Sequence, residues 1–245
     1  MPATLILVLA FSACFATLAG GALALRLRDR LHLILGFSAG AVLAAAFFDL
    51  LPEALRVAGP GADPANGIAI AALGFFAYTI LDRLILLHAH HDHDGRVHHA
   101  AVGRQWSGAG SLSLHSLTDG FAIGVAFRAS PAVGIVVAAA VLAHDCSDGM
   151  NTVSVVLRHG GAKREAYRWL IVDAIAPVIG ALLSLLVALP AATMSAMLAL
   201  FAGFFLYIGA SDLLPESVHE HPKFLTTLMT LLGAGLLYVV VRLAG

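Results

Sequence analysis

The sequence predicts an all-α membrane protein with eight transmembrane helices, arranged as an inverted repeat of three, two and three helices. Of its 245 residues, 60% are hydrophobic and only 12% are charged, and the mean hydropathy is +0.90. This composition is too apolar for a soluble domain of that length. In addition, short polar motifs recur in apolar segments that would run in opposite directions.

Eight apolar segments approach or exceed the roughly 20 residues that a helix needs to cross a bilayer core of about 30 Å. Charged residues or turn-forming Pro and Gly separate them. We expect residues 1–245 to form one transmembrane domain, and the first segment to be a retained helix because no cleavage signal precedes Arg26. The segments cover roughly 3–25, 32–55, 67–87, 106–128, 132–157, 169–189, 193–214 and 223–243.

The basic residues predict the orientation. Of the 14 Lys and Arg residues, all but Arg56, Arg128 and Arg242 lie in or close to the loops that follow segments 1, 3, 5 and 7. Because basic loops stay in the cytoplasm, we expect a multi-pass protein of the cell (inner) membrane with both termini extracytoplasmic. A net charge of −1 gives no basis for nucleic-acid binding. We expect the protein to lie in the lipid bilayer. The sequence does not decide whether it forms a homodimer.

A five-residue repeat supports the inverted arrangement. Asp49-Leu-Leu-Pro-Glu53 ends segment 2 and Asp212-Leu-Leu-Pro-Glu216 ends segment 7, and these segments would cross the membrane in opposite directions. Inverted repeats with polar groups at mid-depth are typical of secondary transporters.

Segments 4 and 5 carry the most informative motifs, His115-Ser-Leu-Thr-Asp119-Gly120 and His144-Asp-Cys-Ser-Asp148-Gly149. A spacing of four residues puts each His and Asp on one helical face. An unpaired Asp at the bilayer centre costs roughly 2.5–3.5 kcal/mol, so a divalent cation is the simplest compensation. Imidazole and carboxylate together suit Zn²⁺ and other divalent first-row metals. Polar groups that only join helices by hydrogen bonds are the plainer alternative.

A histidine-rich stretch follows segment 3. Residues 88–99 contain six of the twelve histidines, within a predicted cytoplasmic loop that covers 88–105. His and Asp tracts bind metals flexibly, which makes His90, His91 and His93 candidate ligands for a departing metal ion. A solvated linker of biased composition is the alternative.

These motifs resemble those of the ZIP (Zrt-, Irt-like protein) metal transporters, and the resemblance covers nearly the whole chain. It implies two adjacent metal positions. The first would use His115, Asp119, His144 and Asp148, and the second would use Ser116, Asp145 and a bridging Asp148. Ser116 stands where many relatives have Asn, and Asp148 where Glu is common. Ala176 stands where a Glu often precedes Pro177, and Asp173 is the candidate to replace that Glu.

The resemblance further implies transport by alternating access, with Asp49 near the outer opening and Asp212 near the inner one. The function expected is import of Zn²⁺, or another divalent transition metal as transported substrate, into the cytoplasm. An intramembrane zinc hydrolase is the alternative from another class, although no separate general base stands beside the motifs. A metal sensor without flux is the third hypothesis.

Overall fold

The computed structural model describes residues 2–23, 31–90, 97–158, 161–187, 190–219 and 224–244, and all regular elements within them are helical. The predicted all-α class is therefore confirmed for this part of the chain. Two π-helical turns, Ala46–Leu50 and Ile208–Leu213, join α2 to α3 and α8 to α9. The α-helices are α1 (Pro2–Leu23), α2 (Leu31–Ala45), α3 (Leu51–Ala58), α4 (Pro64–His90), α5 (Val97–Ala129), α6 (Pro131–Arg158), α7 (Lys163–Leu186), α8 (Ala191–Tyr207), α9 (Leu214–His219) and α10 (Phe224–Ala244).

Seven helical stretches of the described residues are long and apolar enough to cross a membrane, compared with the eight predicted. The remaining predicted segment lies in α5, which has 33 residues but carries a polar first half and the His115 motif. The seven are Ala3–Leu23, His32–Ala58, Pro64–Leu81, Pro131–Leu157, Lys163–Leu186, Thr193–Val218 and Phe224–Leu243.

The loop that was predicted at 88–105 is shorter in the structure. Helix α4 continues through His90 and α5 already begins at Val97. The sequence Val-His-His-Ala-Ala-Val at 97–102 contains neither Pro nor Gly, so nothing in it prevents helix formation before the apolar segment starts. Residues 91–96 lie outside the described part of the chain.

The repeated Asp-Leu-Leu-Pro-Glu sequence has the same local structure in both copies. In each, the Asp lies within a π-helical turn and the Pro follows at the second residue of the next α-helix. A proline in a helix lacks the N–H group and its ring crowds the carbonyl of the residue four positions earlier. In both copies the proline follows shortly after the wider π-helical turn, and the helix continues beyond it.

The helices pack as two bundles. Helices α1, α5, α6 and α7 contact one another in the first bundle, while α2, α4, α8 and α10, with the short α3 and α9, form the second. The bundles meet where α2 lies against α6 and where α4 and α8 lie against α5. The largest buried apolar cluster runs through this boundary and uses residues of both bundles.

Glycines bring helices within each bundle to backbone contact. An added Cβ at any of eight glycines would collide with a carbonyl oxygen of a neighbouring helix, so no other residue fits there. In the first bundle the pairs are Gly20 with Cys146, Gly149 with Thr17, Gly180 with Leu117 and Gly120 with Pro177. In the second bundle they are Gly40 with Thr230, Gly233 with Phe37, Gly203 with Ala71 and Gly74 with Leu200.

These contacts come in matched pairs. Gly120 and Gly149 end the two His-x-x-x-Asp-Gly motifs, and each meets a carbonyl three residues before another such glycine, Gly180 or Gly20. In the second bundle, Gly40 of α2 and Gly233 of α10 meet in the same way, and so do Gly203 of α8 and Gly74 of α4. The α2–α10 contact thus corresponds to the α8–α4 contact, with α2 equivalent to α8 and α10 equivalent to α4. Each bundle is therefore locked by backbone contacts, whereas the glycine contacts in the described residues do not cross between bundles.

Gly233→Ala should lower the free energy of unfolding by about 1–3 kcal/mol, because its methyl group would collide with the Phe37 carbonyl and overpack the α2–α10 contact. Thermal or denaturant unfolding in detergent measures the effect. Gly235→Ala is the matched control, because nothing lies within 4 Å of its Cβ position on the same helix. It should be neutral or stabilising by up to about 1 kcal/mol. Equal effects of both variants would contradict the proposed packing.

Candidate metal centre

Four buried side chains from two helices converge to a single cluster. His115 and Asp119 come from α5, and His144 and Asp148 come from α6. One ligand atom from each lies within 4.8 Å of all the others. The Nε2 atoms lie 3.1 and 3.4 Å from the carboxylates for His115, and 3.1 and 3.6 Å for His144.

The chain brings these residues together through a tight hairpin. Helix α5 ends at Ala129 and α6 begins at Pro131, so the two helices are antiparallel neighbours. The four-residue spacing then aligns His and Asp on the facing surface of each helix. The glycines after each Asp let α7 and α1 press against the outer sides of the hairpin, which seals the cluster from solvent.

The two imidazoles are held in different ways. His144 Nδ1 lies 2.8 Å from the carbonyl oxygen of Ala140, on its own helix. His115 Nδ1 lies 3.0 Å from the hydroxyl of Tyr78, which belongs to α4 in the other bundle. In both cases Nε2 is the atom that faces the carboxylates, and a partner on the second nitrogen is the usual support for a metal-binding histidine.

The cluster has the chemistry and the spacing of a divalent metal site. Ligands at about 2.0–2.1 Å from a tetrahedral Zn²⁺ lie about 3.3 Å apart, and the four His–Asp separations of 3.1–3.6 Å agree with that value. Two carboxylates in an apolar interior also require positive charge. Among the described residues, the two imidazoles form the ion pairs with these carboxylates.

Asp145 lies next to this cluster but outside the group of four. Its side chain is fully buried, and neither carboxylate oxygen has a hydrogen-bond partner among the described residues. The imidazole of His144 and the carboxylates of Asp119 and Asp148 lie close enough to act on it electrostatically. A carboxylate in this position needs a cation or a proton.

Ser116 and Asp173 meet in a separate buried contact. The Ser116 hydroxyl donates to Asp173 Oδ1 at 2.7 Å, and the hydroxyl of Thr152 on α6 donates to Oδ2 at 2.8 Å. Asp173 therefore links α7 to both helices of the hairpin. Ala176, one turn later, is buried and brings no ligand.

The remaining predicted ligands lie elsewhere. Asp49 is buried in the first π-helical turn with one oxygen lacking a hydrogen-bond partner, whereas Asp212 is exposed in the second. His90 ends α4, but its side chain, like all of His91 and His93, lies outside what the structure describes.

Sequence reasoning missed two residues of this region. Thr152 lies one turn beyond Asp148 on nearly the same helical face, so the spacing could have revealed it. Tyr78 is a single tyrosine in a long apolar segment, and only the packing of α4 against α5 connects it to His115.

Comparisons with known proteins agree with this geometry. The ZIP Zinc transporter family matches residues 3–241. The zinc transporter ZupT of Corynebacterium aurimucosum is 29% identical over 222 residues, which cover 82% of this chain and 83% of that protein.

Two animal proteins match a shorter region. Zinc transporter zipt-7.1 of Caenorhabditis briggsae is 28% identical over 143 residues, which cover 52% of this chain and 36% of that protein. Zinc transporter ZIP10 of Homo sapiens is 30% identical over 142 residues, which cover 53% of this chain and 17% of that protein. The chain thus spans only a small part of these animal relatives, but the family match extends over nearly all of its own length. The chain belongs to the ZIP zinc transporter family.

Proposed function

We propose that this protein carries a divalent metal cation, with Zn²⁺ as the favoured substrate, across the cell membrane into the cytoplasm. The observation that carries the proposal is the buried cluster of His115, Asp119, His144 and Asp148. Two nitrogen and two oxygen donors suit Zn²⁺, and they also accept other divalent first-row metals. Family membership favours a transporter over the alternative of an intramembrane zinc hydrolase.

The proposed mechanism is alternating access by movement of one bundle against the other. All four ligands belong to the first bundle, while Tyr78 and Phe205 of the second bundle cover the histidines from the other side. The glycine contacts favour bundles that move as rigid bodies, because two helices in backbone contact would have to separate before they could slide past each other. The boundary between the bundles is held by contacts that involve side chains. These contacts can be exchanged at a lower cost in free energy than backbone contacts within a bundle.

The proposed topology has α5 as the eighth membrane-spanning helix. Its second half pairs with α6 through the hairpin and carries the equivalent motif. The matched glycine contacts and the two π-helical turns support an inverted repeat in which α1, α2 and α4 correspond to α7, α8 and α10. Asp49 would then lie toward the outer side and Asp212 toward the cytoplasm.

A second metal position is proposed beside the first, with Asp145, Ser116 and a bridging Asp148. The buried, unpartnered oxygens of Asp145 support it. Asp173 is proposed as the replacement for the carboxylate that Ala176 lacks, because it already contacts Ser116.

Asp148→Asn should abolish zinc influx into liposomes that contain a zinc-sensitive dye. The variant keeps the size of the side chain but removes one of the two carboxylates of the cluster. We expect the zinc affinity to fall by more than about 100-fold, the upper range for loss of a residue that merely supports a ligand. Asp63→Asn is the matched control, because Asp63 is exposed at the start of α4, where Asn caps equally well. Zinc binding without influx in the unaltered protein would support the sensor or hydrolase instead.

Asp145→Asn should reduce the amount of bound zinc from two ions per chain to one. The loss of its charge removes the second position but leaves the four-residue cluster intact. Elemental analysis of protein equilibrated with zinc and then freed of excess metal measures the stoichiometry. Asp173→Asn, measured in parallel, tests its part in the same position. One zinc ion per chain in both the unaltered protein and Asp145→Asn would contradict the second position.

Alkaline phosphatase, which is active only outside the cytoplasm, should be inactive when fused after Asp94 and active when fused after Gly245. The basic loops predict this orientation, and it would place His90, His91 and His93 on the cytoplasmic side, where they could collect released metal. A fusion after Gly61, between α3 and α4, is the control and should be active. The reverse pattern would show that the protein is inserted with the opposite orientation.

A further inference from the structure

One hydrogen bond joins the candidate metal centre to the opposite bundle. Tyr78 on α4 places its hydroxyl 3.0 Å from Nδ1 of His115 on α5. The Tyr78 ring itself is fixed by helix α8, with its centroid 5.4 Å from that of Phe204 and 5.1 Å from that of Tyr207. The hydroxyl is therefore held by the second bundle, while the imidazole it supports belongs to the first.

This hydrogen bond lies where the two bundles are loosely packed against each other. A cavity of about 330 Å³ lies directly beside it, between α4, α5 and α8, with Leu81 and Leu114 on its walls. Helices α4, α5 and α8 are therefore not closely packed at this point. Tyr78 reaches across the gap, so a shift of α4 relative to α5 would remove its hydroxyl from His115.

His144 provides the internal comparison. Its Nδ1 pairs with the carbonyl of Ala140 in the preceding turn of the same helix. This hydrogen bond lies entirely within α6, so a movement of one bundle against the other does not break it. A carbonyl only accepts a hydrogen bond, whereas a hydroxyl can accept or donate. When a metal occupies Nε2 of His115, the proton is on Nδ1, and this N–H donates a hydrogen bond to the Tyr78 oxygen.

We propose that Tyr78 positions His115 for metal binding and thereby makes the metal affinity depend on the contact between the two bundles. The proposal rests on the proposed function, since it takes His115 as a ligand of the transported cation. With Tyr78 docked, both imidazoles are oriented and the cluster is complete. After the bundles shift, His115 loses its support while His144 keeps its own, so the cation is held less tightly and can leave.

Tyr78→Phe in the full chain tests this role, because it removes the hydroxyl and keeps the ring that packs on Phe204 and Tyr207. Loss of a group that supports a ligating histidine typically weakens metal binding by about 10-fold to 100-fold. We expect the Kd for Zn²⁺ in detergent and the KM for uptake into liposomes to rise by that factor, with little change in the maximal rate. Tyr167→Phe, the same change at an exposed tyrosine of α7, should match the unaltered protein.

A double-mutant cycle separates positioning from a structural role. If Tyr78 acts through His115, Tyr78→Phe should cause no further loss of zinc affinity when His115→Ala is already present. Independent, additive losses would overturn the proposal, and so would an unchanged KM with a lowered maximal rate. An unaltered protein that neither binds nor transports zinc would instead overturn the proposed function itself.

Discussion

The structure depends on the electrostatic requirement of two buried carboxylates. Asp119 and Asp148 face each other across the α5–α6 hairpin, where little water is present to solvate them, and the imidazoles of His115 and His144 lie within 3.1–3.6 Å of their oxygens. A buried pair of carboxylates is unfavourable without a cation, and it binds a cation strongly when the geometry is right. The tight hairpin and the glycine contacts hold the four side chains close enough to share one ion.

A carrier must also release what it binds, and the packing separates these two tasks. Backbone contacts at glycines fix the helices within a bundle, so the ligands keep their mutual distances. Across the boundary at least one partner in each contact described is a side chain, as with Ser38 of α2, whose hydroxyl donates to the backbone carbonyl of Ala143 on α6 at 2.5 Å. The centre lies on this boundary, with its ligands on one side and part of its wall on the other. The proposed movement between bundles would therefore alter access to the ion without first separating the two helices of the hairpin.

Much of this arrangement could be predicted from the sequence because it follows from local spacing. The four-residue separation of His and Asp determines a helical face, and apolar length determines a span. The histidine-rich loop predicted at 88–105 is shorter in the structure, because helix continues into polar residues that include no Pro. Tyr78 and the hydrogen bonds of Asp173 depend on contacts between distant helices, which spacing along one helix does not encode. The π-helical turns were likewise missed, although the repeated proline marked their positions.

The hydrogen bonds of Asp173 bear on the order in which two proposed metal positions would fill. The side chains proposed for the first position contact chiefly one another, so a cation that enters there would replace contacts among its own ligands. At the second position, both oxygens of Asp173 already accept hydroxyl hydrogen bonds, from Ser116 and Thr152. Hydrogen bonds to a charged acceptor contribute about 1.5–3 kcal/mol each, and a cation that recruits Asp173 must compete with them. We therefore expect the first proposed position to fill before the second, and the competition for Asp173 to lower the affinity of the second.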